Sequence, residues 1–389
     1  MLCFLESSQF LTNFFSFCMD ALYAVFINIV PFLVVLTVLV FFHELGHYVV
    51  ARWNGVRVEE FAIGFGPEIF GWNSKKTGTR WKVCYIPLGG YVNLASEDEV
   101  EGTDESRHDP GSMMSKSPYQ RIAISIAGPV ANFLLAMVFF FGLYVSVGQK
   151  IPLNEIEFGQ VVAESAADIA GLESGDVLIG IEGVDELTIP SFQEKVSNSV
   201  DQPLAFTIRR GESEQMVMVT PQAHDPESEK PLGRIGVAIA PVATYVVHGP
   251  LNAAYHAVVD TYKISVQTLS YLGQMIVGTR SADGLSGVIG IANVAGKVAE
   301  QGIEALIWLA AMLSISLGLI NLFPIPMLDG GHIVFYIIEI IRGKPLPEKA
   351  LDIAYRIGFG IVAFLILFST WQDLTRLKIV QWFTSLFGF

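Results

Sequence analysis

The run FFHELGHYVV, Phe41 to Val50, places His43, Glu44 and His47 inside an apolar segment that begins near Ile27. On a helix, positions i and i+4 share one face, so both imidazoles can hold one Zn2+ while the glutamate between them activates its water. HExxH is short enough to arise by chance, and a lone buried histidine is ordinarily a hydrogen-bonded structural residue. Two histidines and a glutamate in the hydrocarbon zone are each costly, however, and ionisable groups there mark function. The placement implies peptide hydrolysis within a bilayer.

Composition permits that reading. The chain has 389 residues, 52% hydrophobic and 16% charged, with a mean hydropathy of +0.48, values of a membrane protein. A span needs about 20 predominantly apolar residues. Four stretches qualify: Ile27 to Val50, Ile122 to Val147, Ala305 to Phe323 and Tyr355 to Trp371. The weaker stretch Met1 to Val25 carries Glu6, Gln9 and Asp20 and lacks a basic start and a small-residue cleavage site, so it reads as an interfacial lead rather than a signal peptide.

The net charge of -14 excludes nucleic acid as a partner, because phosphate binding needs clustered Lys and Arg. From Lys150 to Thr244 six basic residues face sixteen acidic ones, whereas Arg52, Arg57, Lys75, Lys76, Arg80, Lys82, Lys116 and Arg121 lie between spans one and two. Arg342, Lys344 and Lys349 lie between spans three and four. Under the positive-inside rule those two loops are cytoplasmic and the acidic segment is outside, although Arg376 and Lys378 pull mildly the other way. Cys3, Cys18 and Cys84 are too scattered for a disulfide framework.

Between spans two and three the pattern changes to strand, turn, strand, helix and hairpin, with the hairpin turning at Gly211 and Glu212. The run SAADIAGLESGDVLIGIEG, Ser165 to Gly183, resembles the internal signature of PDZ domains. Such a domain adds an extended peptide or C-terminus as a strand beside a helix, which implies substrate recognition or gating; the alternative is a spacer that binds nothing. GRIGVAIAP reads as a final strand leading back to the membrane.

Catalytic zinc keeps three protein ligands and an open position, so a third ligand must come from elsewhere. The best donor is Asp329 in INLFPIPMLDGGH, at the end of span three, where Pro324 and Pro326 break the apolar run; His332 competes with it. Backbone freed by proline at membrane depth is tolerable where it lines a cavity or packs on protein. FAIGFGPEIF at Phe61 to Phe70 and IPLGGYV at Ile86 to Val92 suit a glycine-bent β hairpin whose free edge could hold an extended substrate, or else an ordinary cytoplasmic hairpin.

HELGH, GPVAN at Gly128 to Asn132 and NLFPIPMLDGG at Asn321 to Gly331 together resemble the site-2 protease family of intramembrane zinc metalloproteases, closest to its bacterial regulator-of-sigma-E type. The resemblance covers nearly the whole chain. It implies His43, His47 and Asp329 as zinc ligands, ranks His332 below Asp329 because the motif ends at LDG, and makes Glu44 general base and acid. It further implies Asn321, Pro324 and Pro326 as substrate-backbone contacts, a membrane-reentrant hairpin containing Gly64 and Gly66, and Asn132 near the site, where interhelical hydrogen bonding is its other reading. One departure is that well-known members of that type carry two tandem PDZ domains, and this sequence shows one.

The expected fold is therefore a polytopic α-helical membrane protein with four transmembrane helices, a membrane-reentrant β hairpin and one inserted α/β PDZ domain. The expected divisions are a lead segment 1–26, spans one and two over 27–147 with the β element at 61–92, the PDZ module at 158–222, an amphipathic interfacial stretch at 245–302, and spans three and four over 303–389. The resemblance implies one Zn2+ per chain, the bacterial inner membrane with the PDZ module periplasmic and the active site near the cytoplasmic side. It also implies regulated intramembrane proteolysis in a stress response, acting on single-span proteins already trimmed by another protease, of the anti-sigma-factor kind, with remnant signal peptides as a further class. The rival readings are a catalytically silent PDZ scaffold and a metal transporter. Neither explains a base at Glu44 beside intact ligands.

Overall fold

In the computed structural model, which describes residues 2–95, 108–223, 232–279 and 286–376, the chain forms two compact units. One comprises Met1–Leu143 with Gly249–Phe389, the other Tyr144–His248.

In the larger unit the helix Leu2–Trp53 runs from the lead segment into the first span without a break, Pro31 included. Among the described residues four helical segments are long and apolar enough to cross a membrane: Phe26–Trp53, Pro118–Ser146, Ile303–Asn321 and Lys349–Arg376. Each contains or closely overlaps an anticipated span. The shortest, with 19 residues, is about 28 Å long at 1.5 Å per residue, close to a hydrocarbon core. The first three share a core in which Val35 and Leu39 meet Leu135 and Ala310. Small residues let the backbones approach: a Cβ at Gly46 would lie 2.3 Å from the Ala127 carbonyl oxygen.

Asp329 does not end the third span but opens a separate helix, Asp329–Arg342. The reason lies in the intervening NLFPIPM. Pro324 and Pro326 have no N–H to continue the ladder, the amides of Leu322 and Phe323 close onto the carbonyls of Leu319 and Ile320, and Met327 turns the chain at φ 86°. The turn then lies directly on the new helix. A Cβ at Gly330 would stand 2.3 Å from the carbonyl oxygens of Leu322 and Phe323, and one at Gly331 would stand 2.4 Å from that of Ile325.

The 245–302 stretch contains the helix Pro250–Val277, which buries Ala253, Ala257 and Thr261 at a spacing of four, and the helix Val288–Ala299. The second has Gly287 as its N-cap residue, with no side chain to cap it; Asp373 of the last helix accepts instead from the N–H groups of Gly287 (3.1 Å) and Gly290 (2.8 Å).

Strands β1 (Val58–Asn73) and β2 (Arg80–Leu94) pair antiparallel with repeated register shifts. Gly64, at φ 84°, faces the Ile86 carbonyl so closely that a Cβ would lie 2.5 Å from that oxygen. At its base the hairpin joins a core of Ala51, Val56, Val58, Leu94, Met113 and Ile124, and Phe61 stacks on Trp81. Farther out Ile69, Phe70, Tyr85 and Leu88 are exposed.

In the smaller unit, strands β3 (Gln149–Val161), β4 (Val177–Ile181), β5 (Leu204–Arg210), β6 (Ser213–Val219) and β9 (Val237–Val246) form a five-stranded antiparallel sheet in the order β6-β5-β4-β3-β9. The short strands β7 (Gln222–Ala223) and β8 (Gly233–Arg234) pair with each other. The main sheet thus takes in residues on both sides of 158–222. Its core is built on Phe158, Phe192 and Phe206, each buried and each worth about 1.5–3 kcal/mol by transfer.

One buried charge pins this unit. Asp176, 1% exposed, accepts from Arg210 Nε (2.7 Å) and Nη2 (2.6 Å) and from the Glu173 backbone N–H (2.8 Å). Burial opposes its ionisation, but the guanidinium and the amide outweigh burial and hold the carboxyl below its ordinary range. Asp176→Ala is expected to cost about 3 kcal/mol, the low end for a broken buried pair because Arg210 is a third exposed, and to lower the unfolding temperature of this unit by roughly 10 °C. Since the folded carboxyl is depressed, its stabilisation is fully present above the unfolded value, about pH 4, and is lost as pH falls through the folded value. Acid titration of the two unfolding curves should therefore converge below about pH 4.

Candidate metal centre

His43 and His47 sit one turn apart on the first span, with rings edge to face and centroids 4.8 Å apart. Their Nε2 atoms lie 3.2 Å from each other; His43 Nε2 lies 3.2 Å from Asp329 Oδ2 and His47 Nε2 lies 3.5 Å from Oδ1. One ligand atom from each of the three residues falls within 4.8 Å of the others. Asp329 reaches this point as the first residue of its helix, where the unsatisfied N–H groups favour a carboxylate.

Neighbouring groups orient the imidazoles. His47 Nδ1 donates to the Ile124 carbonyl at 2.8 Å, which leaves the Nε2 lone pair for a metal. Pro129, inside the second span, has no N–H for the carbonyl of Ser125 one turn earlier, the residue next to Ile124. Asn132, fully buried, places its side-chain amide nitrogen 3.1 Å from His43 Nδ1, and its backbone carbonyl accepts from Ser314 Oγ at 2.8 Å. A half-turn of that amide brings its oxygen onto an Nδ1–H of His43 and frees the second Nε2 lone pair. Two facing Nε2 atoms, beside a buried Asp329 Oδ2 with no hydrogen-bond donor among the described residues, are a donor set in need of a cation. Two imidazoles and one carboxylate suit Zn2+ with an open fourth position.

Gly128 of GPVAN makes the approach possible. A Cβ there would lie 2.2 Å from His47 Nε2 and 2.8 Å from His43 Cε1. Behind the site, Arg121 at the start of the second span pairs with Glu339 at 2.6 Å and stacks over Tyr336, tying that span to the helix that presents Asp329.

A cavity of about 280 Å³ opens at the metal group, lined by the three ligands together with Glu44, Asn321 and His332 and by residues of β2 and the second span. Glu44 and Asn321 are thus placed with the ligands. Asn132 stands behind His43 rather than on the wall, and Gly64, Gly66, Pro324 and Pro326 do not line the cavity: the glycines shape bulges of the hairpin and the prolines shape the turn ahead of Asp329. Tyr91 and Val92, which also line it, close the IPLGGYV run of the anticipated hairpin, whereas Ser125, on the same wall, carries no distinguishing sequence pattern. For Gly128 the sequence offers one signal, a glycine preceding a proline within a span.

The family model described as "Peptidase family M50" matches residues 31–365. The Rhizobium meliloti protein R01501 is 38% identical over 367 residues, which cover 90% of this chain and 97% of that protein. The metalloprotease MmpA of Caulobacter vibrioides is 32% identical over 396 residues, covering 93% and 98%. The zinc metalloprotease RasP of Geobacillus kaustophilus is 33% identical over 422 residues, covering 90% and 98%.

Proposed function

The chain belongs to peptidase family M50, the site-2 protease family, and from that premise, a zinc metalloprotease with four apolar helices, we propose that it cuts peptide bonds inside the membrane-spanning segments of single-span proteins. The observation that carries the reading is the convergence of His43, His47 and Asp329 from two helices onto one point of a cavity that Glu44 also lines. Zinc held there supplies a polarised carbonyl and a water whose pKa falls toward about 7. Glu44 takes the proton of the attacking water and passes it to the leaving amine. The ligand side chains are 9%, 12% and 20% exposed, so the site is screened from bulk solvent and its electrostatics are strong.

A helical substrate shields its peptide bonds, and the unwound stretch needs partners for its backbone. The hairpin supports that need: β2 residues Tyr91 and Val92 reach the cavity wall, and exposed Ile69, Phe70, Tyr85 and Leu88 give its outer part the apolar surface of a membrane-reentrant element. In the smaller unit a groove of about 550 Å³ lies between the helix Ile189–Ser197, through Phe192 and Val196, and the chain from Gly233 to Ile239, which leads into the edge strand β9. An edge strand beside a helix is the PDZ mode of peptide capture, so this unit is read as a single PDZ module that recruits or gates substrates already trimmed by another protease. The resemblance implies the bacterial inner membrane, and the loop charges favour the orientation in which this acidic unit is periplasmic and the active site lies toward the cytoplasm.

The test is reconstitution of the purified chain in vesicles with a tagged single-span substrate, followed by mass spectrometry of the membrane products. Cuts are expected within the apolar segment, and a helix-breaking Gly-Pro pair placed in that segment should raise the rate at least several-fold. Cuts confined to soluble flanks, or a rate indifferent to the Gly-Pro pair, would count against intramembrane cleavage.

A further inference from the structure

We propose that His332 is a catalytic residue, whose imidazole N–H donates a hydrogen bond to the carbonyl oxygen of the scissile peptide as water adds to it. The proposal rests on the endopeptidase reading above and gives a role to a histidine that the metal group leaves out. His43, His47 and Asp329 converge without it. Yet His332 is on the wall of the same cavity, three residues after Asp329, so the two side chains share one face of the helix Asp329–Arg342. Its ring is half-buried and flanked by aromatic rings, with centroids 6.4 Å from Phe335, 6.4 Å from Tyr336 and 6.0 Å from Tyr355. Those neighbours fix the plane of the imidazole but offer no ring nitrogen a partner. Among the described residues His332 makes no hydrogen bond at all, in contrast to His43, His47 and His248. A structural histidine in an apolar pocket has its polar atoms satisfied by protein, and leaving them unmade costs about 1–3 kcal/mol. Here the remaining neighbour is whatever fills the cavity.

Hydrolysis places charge at that position. As the water oxygen bonds to the carbonyl carbon, the π pair of the C=O moves onto oxygen, and Glu44 receives the water proton. The His332 N–H stabilises the oxygen without giving up its proton, and the C–N bond breaks when Glu44 returns a proton to the nitrogen. A fixed donor aimed at such an oxygen typically contributes about 10²–10³ in kcat. Held by aromatic packing, the donor needs no reorganisation when the charge appears.

The experiment compares the wild-type zinc enzyme with His332→Ala, His332→Gln and Glu44→Gln. His332→Ala is expected to lower kcat by about 10²–10³-fold with KM within a few-fold, one zinc per chain retained and the unfolding temperature unchanged. Its affinity for a phosphonamidate peptide, which mimics the tetrahedral adduct, should fall by a similar factor, while affinity for the uncleaved substrate should not. His332→Gln, which restores an N–H donor, should recover part of both. Wild-type kcat in His332→Ala would overturn the proposal, as would loss of zinc, which would make His332 a ligand, or equal weakening of substrate and mimic, which would make it a positioning residue. If Glu44→Gln also hydrolyses at the wild-type rate, the protease reading itself fails, and that outcome is distinct from failure at His332 alone.

Discussion

Glu44→Gln is expected to slow peptide hydrolysis by about 10⁴-fold while a full equivalent of zinc stays bound. The substitution keeps side-chain size and leaves the three ligand atoms of His43, His47 and Asp329 where they are. What disappears is the group that accepts a proton from water and delivers it to the leaving nitrogen. General acid–base catalysis contributes about 10²–10⁴-fold, and the upper end applies because one carboxylate serves both transfers. Substrate binding relies on other surfaces, so kcat should fall with KM nearly constant. Single-turnover cleavage with parallel zinc analysis checks this. A rate within tenfold of wild type would remove Glu44 from the chemistry and would reopen the scaffold and transporter readings, in which a base at this position has no task.

The i, i+4 histidines are legible in the sequence because helical periodicity fixes which side chains share a face, and that relation needs no tertiary information. Asp329 is legible because a carboxylate next to a long apolar run is costly unless it has a partner. Its placement at the start of a new helix is less so: from Ile303 to Ile341 apolar residues run almost continuously, and only Pro324 and Pro326 mark where one helix stops and the next begins. The limits of the smaller sheet are obscured for a different reason. Gln149–Val161 contains Pro152, Asn154, Glu155 and Glu157 in place of a clean alternation, and its partner β9 lies after residues 224–231, far along the chain. Least legible are groups that act through long-range approach. The Ile124 carbonyl that orients His47 lies 77 residues away, and the Asn132 amide at His43 lies 89 residues away. No local pattern encodes a backbone carbonyl as a hydrogen-bond acceptor.

That dependence on close approach leads to the second large effect. Gly128→Ala is expected to weaken zinc binding by about 100-fold or more and to abolish proteolysis at limiting zinc, although it adds one methyl group to a helix that would otherwise gain from it. The added Cβ would lie 2.2 Å from His47 Nε2, 2.7 Å from His47 Cε1 and 2.8 Å from His43 Cε1. Side-chain ends ordinarily move aside at little cost, but these ends carry the ligand nitrogens. His47 is held from behind by the Ile124 carbonyl, so relief requires rotating the ring off that acceptor or separating the first two spans. Separation is resisted where Gly46 meets the Ala127 carbonyl. Gly142, on the same helix, has open space where a Cβ would project, with no atom within 4 Å, so Gly142→Ala should bind zinc as wild type does. Competition with a chelator of known affinity, run on both variants, separates a local effect on the ligands from a general effect of adding alanine to this span. Equal zinc affinity in Gly128→Ala and Gly142→Ala would show that the ligands can assemble without the close approach of Gly128 to both rings.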